Sequence, residues 1–163
     1  MATLDLSDPA LRLSFSAARF RILQFSPSQA IPAKLVELVV APRGAERGEA
    51  FSFVSITRTK DEVSVIVDED VVSQLFPSTA TSSSDSSASS LPLESSGPWT
   101  SLIVRGPMDL SLTGILHALT GPLRDARVPV FASSTWDTDY VLVNSDKVDV
   151  ARDALTRAGW MFE

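Results

Sequence analysis

The residues best placed to do chemistry lie between positions 106 and 114, where an apolar run meets a helical pattern. Gly106-Pro107 ends the run at residues 102–104, which predicts a short buried strand. Ser111 offers a hydroxyl to cap the helix that follows. The first N–H groups of that helix, with the positive end of its dipole, suit a small anion such as a carboxylate. A plain strand–helix connection with a capped end is the alternative.

His117, the only histidine, is the one candidate general base. No acidic residue stands at helical spacing to orient it, which favours a surface or half-buried histidine over a catalytic one. The sequence contains no cysteine, no phosphate-binding loop and no nucleophilic serine elbow. We therefore predict that the chain is not an enzyme and uses no cofactor.

The acidic run Asp68-Glu69-Asp70 allows two interpretations. Three carboxylates could bind a metal ion, but adjacent side chains at a helix start fan outward. The run also supplies caps and favourable charge for a short helix over residues 71–76. The helix interpretation is favoured, so no metal site is predicted.

Composition excludes several classes of function. The 163 residues carry a net charge of −6 with Lys and Arg scattered singly, so neither nucleic acid nor membrane is an expected partner. No apolar run approaches the roughly 20 residues needed to span a bilayer. The lack of cysteine fits a reducing compartment, and residues 1–10 show no signal-like region. A cytoplasmic or nucleocytoplasmic location is expected.

The elements that must position the segment at 106–114 alternate between strands and helices. Residues 11–25 predict two short strands or one long bent strand, and residues 32–40 predict a helix. Residues 51–57 and 63–67 predict an antiparallel hairpin, because the turn between them is short and polar.

Residues 77–98 differ in character from the rest of the chain. Serine dominates them, and large apolar side chains are almost absent before Leu91. Such a segment cannot bury enough surface to offset its ordering entropy, so it is interpreted as a flexible linker that is a candidate for phosphorylation. It divides the chain into units at residues 1–76 and 99–163.

The unit at residues 99–163 predicts a strand, a helix, two strands and a second helix. Pro122 falls inside the first helix and removes the bond to the Ala118 carbonyl, which predicts a kink or a change of turn type. Strands at 128–136 and 140–143 flank a tight turn, and a short strand is expected at the C-terminal end.

Residues 51–75 resemble residues 131–155 in their order of polar and apolar positions, which indicates an internal repeat. The resulting βαββα(β) order predicts a fold of class α+β, with two tandem ferredoxin-like units whose antiparallel sheets carry helices on one face. Residues 11–16 are a candidate for the missing last strand of the first unit. A sheet face without cover can pair with a second copy, so a homodimer is expected.

Four motifs carry a resemblance to a known family. They are Trp99-x-x-Leu102-x-Val104, Gly106-Pro107-Met108-Asp109-Leu110-Ser111-Leu112-Thr113-Gly114, Ser134-Thr135-Trp136-Asp137-Thr138-Asp139-Tyr140 and Phe51-Ser52-Phe53-Val54-Ser55-Ile56-Thr57. They resemble the tandem ACT domains of the CASTOR type, a group that includes arginine sensors of the TOR nutrient pathway.

The resemblance implies that a free amino acid binds at an interface between ACT units. The site residues it suggests are Gly106, Met108, Asp109, Leu110, Ser111, Leu112, Thr113, Gly114, Thr135, Asp137 and Asp139. Backbone N–H groups at 111–114 would bind the α-carboxylate, Asp109 the α-ammonium group and Asp139 a cationic side chain. Turn chemistry beside the hairpin is the alternative for Asp137 and Asp139.

The arginine sensors carry four ACT units in one chain, whereas two are expected here, so only dimerisation would rebuild their arrangement. The predicted function is a non-catalytic regulatory protein that binds a free amino acid, arginine or another, in nutrient sensing, with a protein partner in nutrient signalling. The alternative is a structural or adaptor protein that acts through ACT-mediated oligomerisation without a ligand.

Overall fold

The computed structural model describes residues 4–40, 53–77 and 91–163. The elements in these ranges are β1 (Leu13–Phe25), α1 (Ala33–Val40), β2 (Ser55–Arg58), β3 (Val63–Asp68), α2 (Glu69–Leu75), β4 (Glu94–Val104), α3 (Ile115–Asp125), β5 (Val130–Ser134), β6 (Asp139–Asn144) and α4 (Val148–Arg157). Short 3-10 turns occupy Pro9–Leu11 and Ser145–Lys147. The fold is α+β and ferredoxin-like with antiparallel strand pairs, which confirms the predicted class.

The chain divides into two compact units. The discontinuous unit contains Met1–Arg19 and Trp99–Glu163, and the central unit contains Phe20–Pro98. Strand β1 therefore begins in the discontinuous unit and ends in the central one, whereas β4 does the reverse. Both units contain the succession strand, helix, strand, strand, helix. In the central unit the start of β4 follows this succession, and in the discontinuous unit the first half of β1 precedes it. The sequence assigns residues 1–19 to the first unit, but the contacts of the described residues 4–19 place them with the second half of the chain.

The prediction that residues 11–16 form the last strand of the first unit is also wrong. In the discontinuous unit the first half of β1 lies beside β4, where the Ser101 N–H donates to the Ser16 hydroxyl at 3.1 Å. Leu13 is fully buried in the core of that unit. An apolar alternation marks these residues as a strand, but it does not say which of two similar sheets the strand joins.

The strand that completes the central unit comes from the end of the predicted linker. Residues 94–98 form the start of β4, and the Leu93 N–H donates to the Gln24 carbonyl at 2.7 Å. Backbone hydrogen bonds made this strand possible despite a serine-rich sequence, because a ladder needs no large side chains. Residues 78–90 of the predicted linker lie outside the described residues.

In the discontinuous unit the strand order is β1-β4-β6-β5. Alternate residues of β4 and β6 point to one face and pack against α3 and α4, so both helices cover that face. The fully buried side chains at this contact are Leu102, Val104, Val141, Val143, Leu119, Leu123 and Leu155.

In the central unit the strand order is β2-β3-β1-β4. The predicted hairpin is confirmed, since β2 and β3 pair antiparallel with Ile56 opposite Val65. Alternate strand residues again pack against two helices, α1 and α2. The core consists of Leu23, Phe25, Leu35, Leu38, Val63, Val65, Val67 and Val71.

Helix α3 runs through Pro122 and continues to Asp125. Proline cannot donate to the Ala118 carbonyl, and the indole N–H of Trp160 donates to that carbonyl instead, at 3.4 Å. Trp160 is almost fully buried. The helix tolerates the proline because a side chain from the C-terminal end of the chain replaces the missing donor.

The strand predicted at residues 160–162 is reduced to an isolated parallel bridge between Leu13 and Phe162. The Leu13 N–H donates to the Met161 carbonyl and its carbonyl accepts from the Glu163 N–H, both at 2.9 Å. The rings of Phe15 and Phe162 stack with centroids 5.6 Å apart. These contacts anchor the C-terminal residues to the first half of β1.

Among the described residues, none of the helices combines the length and the apolar character that a membrane crossing requires.

Candidate functional site

The loop after β4 is fastened to the turn between β5 and β6. Gly106 has a φ of +66°, and a Cβ at this position would lie 2.7 Å from the carbonyl oxygen of Asp137. The Met108 N–H donates to that same oxygen at 2.8 Å. On the other side of the contact, the buried Thr138 hydroxyl donates to the Val104 carbonyl. Glycine is needed here both for the positive φ and for the close approach of two backbones.

Threonine side chains, rather than aspartates, close the β5–β6 turn. The Thr135 N–H donates to the Thr138 carbonyl at 2.8 Å, and the Thr138 N–H donates back to the Thr135 hydroxyl at 3.3 Å. Asp139 begins β6 and is 9% exposed. One of its carboxylate oxygens accepts the Ser134 hydroxyl at 2.6 Å.

Asp109 organises the loop itself. The Ser111 N–H donates to the Asp109 carboxylate at 2.8 Å, and the Leu112 N–H donates to the Asp109 carbonyl at 2.9 Å. Hydrogen bonds from the Ser111 side chain and backbone lower the pKa of the Asp109 carboxyl. The prediction that Ser111 caps the helix is wrong, because Ser111 precedes α3 by four residues and interacts with Asp109.

The start of α3 has no side-chain cap. Its N-cap is Gly114 with a φ of +85°, and the first backbone bond of the helix joins the Ala118 N–H to the Gly114 carbonyl at 2.9 Å. The N–H groups of Ile115, Leu116 and His117 therefore have no acceptor within the helix. These three donors lie at the positive end of the helix dipole.

The loop, the start of α3 and the β5–β6 turn line an open pocket of about 470 Å³ in the discontinuous unit. Its lining residues are Met108, Asp109, Leu110, Leu112, Gly114, Ile115, Leu116, His117, Ser134, Thr135, Trp136, Asp137, Thr138 and Asp139. The lining holds three carboxylates and neither lysine nor arginine, so the acidic side chains at the pocket have no basic side chain in the lining to offset their charge.

The structure brings together at this pocket eight of the eleven residues that the sequence suggests. Gly106, Ser111 and Thr113 do not line it. Gly106 holds the loop against the turn, Ser111 donates to Asp109, and Thr113 is exposed ahead of the helix.

Sequence reasoning missed six lining residues, which are Ile115, Leu116, His117, Ser134, Trp136 and Thr138. The clearest signal was Trp136, a large aromatic residue inside a polar turn, and it is 78% exposed. His117 is exposed at the pocket, three residues after the N-cap. The helix positions were missed because the apolar pattern of α3 was interpreted only as core.

The acidic run after β3 behaves as part of a helix start. Asp68 occupies the N-cap position of α2, with Glu69 and Asp70 in the first turn, as predicted. The side chain of Asp68 makes no cap bond, so that detail of the prediction is wrong. Within the described ranges, no group of three or more acidic or histidine side chains is placed to hold a metal ion.

A known protein family matches the part of the chain that contains the pocket. Residues 94–157 match the ACT domain family. ACT domains are regulatory modules that bind amino acids and are not themselves catalytic. The matched range includes every residue that lines the pocket.

Curated relatives share part of the sequence. The human protein CASTOR3P is 32% identical over 91 residues, which cover 56% of this chain and 53% of that protein. The chain therefore spans about half the length of this relative.

Solved structures show the same fold over almost the whole chain. Protein Atu0741 from Agrobacterium tumefaciens is 28% identical with a TM-score of 0.64, and the match covers 93% of this chain and 91% of that one. The ligand-free regulatory subunit of aspartate kinase from Thermus thermophilus is 14% identical with a TM-score of 0.59, and 90% and 96% of the chains are covered. The second likeness shows the fold alone.

Proposed function

We propose that this chain is a non-catalytic regulatory protein that binds a free amino acid in the pocket of the discontinuous unit. The observation that carries the proposal is that groups of opposite charge line one pocket. The start of α3, with its free N–H donors, contributes to the lining, and so does Asp139. A zwitterion needs complementary groups of this kind.

The α-carboxylate of the amino acid would bind at the start of α3. The N–H groups of Ile115, Leu116 and His117 point from the positive end of an uncapped helix, which favours an anion. Asp109 would bind the α-ammonium group. Its lowered pKa keeps the carboxylate ionised well below neutral pH, so the charge is present when the ligand arrives.

The side chain of the ligand is proposed to be cationic. Asp109, Asp137 and Asp139 all line the pocket, with no lysine or arginine to offset their charge. Trp136 lies at the pocket and is largely exposed, so its ring can stack on a guanidinium or ammonium group. Arginine is one ligand that fits, and lysine is another.

A thermal-shift screen of the full chain against the twenty amino acids tests this function. An amino acid of about ten non-hydrogen atoms at about −0.6 kcal/mol per atom binds with a dissociation constant on the order of tens of micromolar. At a hundredfold excess over that constant it stabilises the folded state by about 2.7 kcal/mol. Flat curves with all twenty amino acids would overturn the proposal.

A second function is favoured by one observation. Leu110, Leu112 and Trp136 are exposed around the pocket, at 68%, 43% and 78% of their surface, which suits contact with another protein. A structural or adaptor protein without a ligand would show this surface together with flat thermal-shift curves.

Several finer features stay predictions. They include two ACT units in one chain, a pocket that forms part of an interface between ACT units, a role in nutrient sensing, and a protein partner in nutrient signalling. The shared order strand, helix, strand, strand, helix in both units supports the first of these.

A further inference from the structure

The central unit has a pocket of its own, of about 350 Å³, beside α2. Strand β1 contributes Arg21 and Leu23, which share a face of the strand because they are two residues apart. Helix α2 and the residue that follows it contribute positions 69, 72, 73 and 76, and this spacing places them on one face of the helix. We term this site the α2 pocket.

Apolar side chains make up half of the lining of the α2 pocket. Leu23 is fully buried, and Val72, Phe76 and Pro92 are partly buried. An apolar group in the pocket would remove part of their remaining surface from water, which favours binding.

The charged residues of the lining are Arg21 and Glu69, and Arg21 is held by two groups. Its Nε donates to Oε1 of Glu69 at 2.8 Å, and its Nη2 lies 2.6 Å from the same oxygen. Its Nη1 donates to the Gly97 carbonyl at 3.3 Å. A guanidinium has five N–H groups, so these contacts leave one N–H on Nη1 and one on Nη2 for a further acceptor. A carboxylate can accept from two such groups at once.

We propose that the α2 pocket binds a small monocarboxylic acid with a branched apolar chain. The carboxylate would accept from Nη1 and Nη2 of Arg21, while Glu69 and the Gly97 carbonyl hold the guanidinium in place. The apolar chain would pack against Leu23, Val72 and their apolar neighbours in the lining. Charge complementarity to Arg21 and the apolar walls both support this class of ligand. The pocket at the start of α3 is lined by three carboxylates instead, so the two pockets would bind different classes of molecule.

An NMR titration of the full chain with 4-methylpentanoate tests the proposal. The backbone amides of Val72, Ser73 and Phe76 should shift with a dissociation constant on the order of 1 mM, as expected for so small a ligand. Two other probes separate the contributions. The uncharged 4-methylpentanamide keeps the chain and acetate keeps the charge, and each should bind at least tenfold more weakly.

Arg21→Gln should raise the dissociation constant for 4-methylpentanoate about tenfold or more, because the charge and both free N–H groups are lost. The matched control is Arg19→Gln. Arg19 lies on the same strand, is exposed and does not line the pocket, so binding should be unchanged. Circular dichroism checks that both variants keep the fold.

A second variant blocks the α2 pocket without altering the pair of Arg21 and Glu69. Ser73 is exposed on α2 and its hydroxyl donates to the Glu69 carbonyl within the same helix, so Ser73→Phe should keep the fold while its ring occupies the pocket. Binding of 4-methylpentanoate should then be lost. Gln74→Phe is the matched control, since Gln74 is the next exposed residue and does not line the pocket.

Four results would each overturn the proposal. They are the absence of shifts at α2, equal binding of 4-methylpentanamide, unchanged binding in Arg21→Gln or Ser73→Phe, and equal weakening by either control variant. The amides of Ile115, Leu116 and His117 report on the pocket at the start of α3 in the same spectra. A failure at one pocket is therefore distinguishable from a failure at the other.

Discussion

At the residue scale, the two acidic groups central to the pocket are held in different ways. Asp109 lies in a loop, where Ser111 donates to its carboxylate from two positions. Asp139 lies at the start of β6, nearly buried, and accepts one hydroxyl from Ser134. The first is therefore positioned by local hydrogen bonds, and the second by the sheet.

Removing the hydroxyl of Ser111 should raise the pKa of Asp109 towards its ordinary value. The lowered pKa means that Asp109 favours the folded state above the usual aspartate range, and that this contribution is lost as the pH falls through the lowered value. Ser111→Ala removes one of the two donors, so carboxyl-carbon NMR titration should show a higher pKa. Asp5 is the internal control, because Ser7 lowers its pKa independently and it should not change. An unchanged Asp109 would contradict the role given to Ser111.

Asp139→Asn should lower the affinity for a cationic amino acid by about tenfold or more. The amide keeps the size of the side chain but removes its charge. Calorimetric titration measures the change. Asp153→Asn serves as the control, since Asp153 is an exposed carboxylate of α4 that does not line the pocket. Equal affinity in the unchanged protein and Asp139→Asn would remove Asp139 from the site.

At the scale of elements, the pocket depends on the contact between the loop after β4 and the β5–β6 turn. Two backbones meet at Gly106, and Thr138 joins the turn to the end of β4. The sequence predicted both elements and their order. It could not predict their contact, because Gly106-Pro107 indicates only where a strand stops, and the carbonyl that crowds Gly106 lies 31 residues further along the chain.

Three glycine substitutions distinguish the effect of the close contact between Gly106 and Asp137 from the effect of the backbone conformation alone. Gly106→Ala should destabilise the fold by roughly 2–3 kcal/mol, because the new Cβ meets the Asp137 carbonyl and the φ is positive. Gly114→Ala has open space but a positive φ, so about 1 kcal/mol is expected. Gly121→Ala lies in α3 with open space and should stabilise by about 0.5–1 kcal/mol. Denaturant unfolding measures all three, and equal effects would contradict the close approach at Gly106.

The sequence was also informative about helices but less so about their ends. The apolar spacing predicted α3, whereas its cap was assigned to Ser111 instead of Gly114. A serine before a helical pattern is a common cap. Here the Ser111 N–H donates to the Asp109 carboxylate, so Ser111 is part of the loop and does not cap the helix. Likewise, Pro122 predicted a kink or a change of turn type. The Ala118 carbonyl that the proline leaves without a donor accepts instead from Trp160, which is distant in the sequence.

At the scale of the whole molecule, the boundaries between the two units fall within β1 and at Trp99 in β4. The first half of β1 belongs to the discontinuous unit, although the sequence assigns it to the predicted unit at residues 1–76. Repeated units have similar patterns of alternating residues, so a strand suits either sheet, and only packing decides between them. The fold class could therefore be predicted, but the unit boundaries could not.

Leu13→Ala should destabilise the discontinuous unit by about 2–5 kcal/mol, because Leu13 is fully buried in its core. All three tryptophans, Trp99, Trp136 and Trp160, belong to this unit, so their fluorescence follows its unfolding. The midpoint of the fluorescence transition in denaturant should fall. Leu110→Ala is the control in the same unit, since Leu110 is 68% exposed and should change little. An unchanged midpoint in Leu13→Ala would contradict the assignment of residues 4–19 to this unit.

The central claim is that a free amino acid binds at the start of α3. Its most direct measurement is an NMR titration of the full chain with arginine, lysine and glutamate, following the backbone amides of Ile115, Leu116 and His117 and the indole of Trp136. We predict that a basic amino acid shifts these signals with a dissociation constant on the order of tens of micromolar, and that glutamate does not. If none of the three shifts the amides of α3, or if glutamate binds more tightly than the basic amino acids, the account is contradicted.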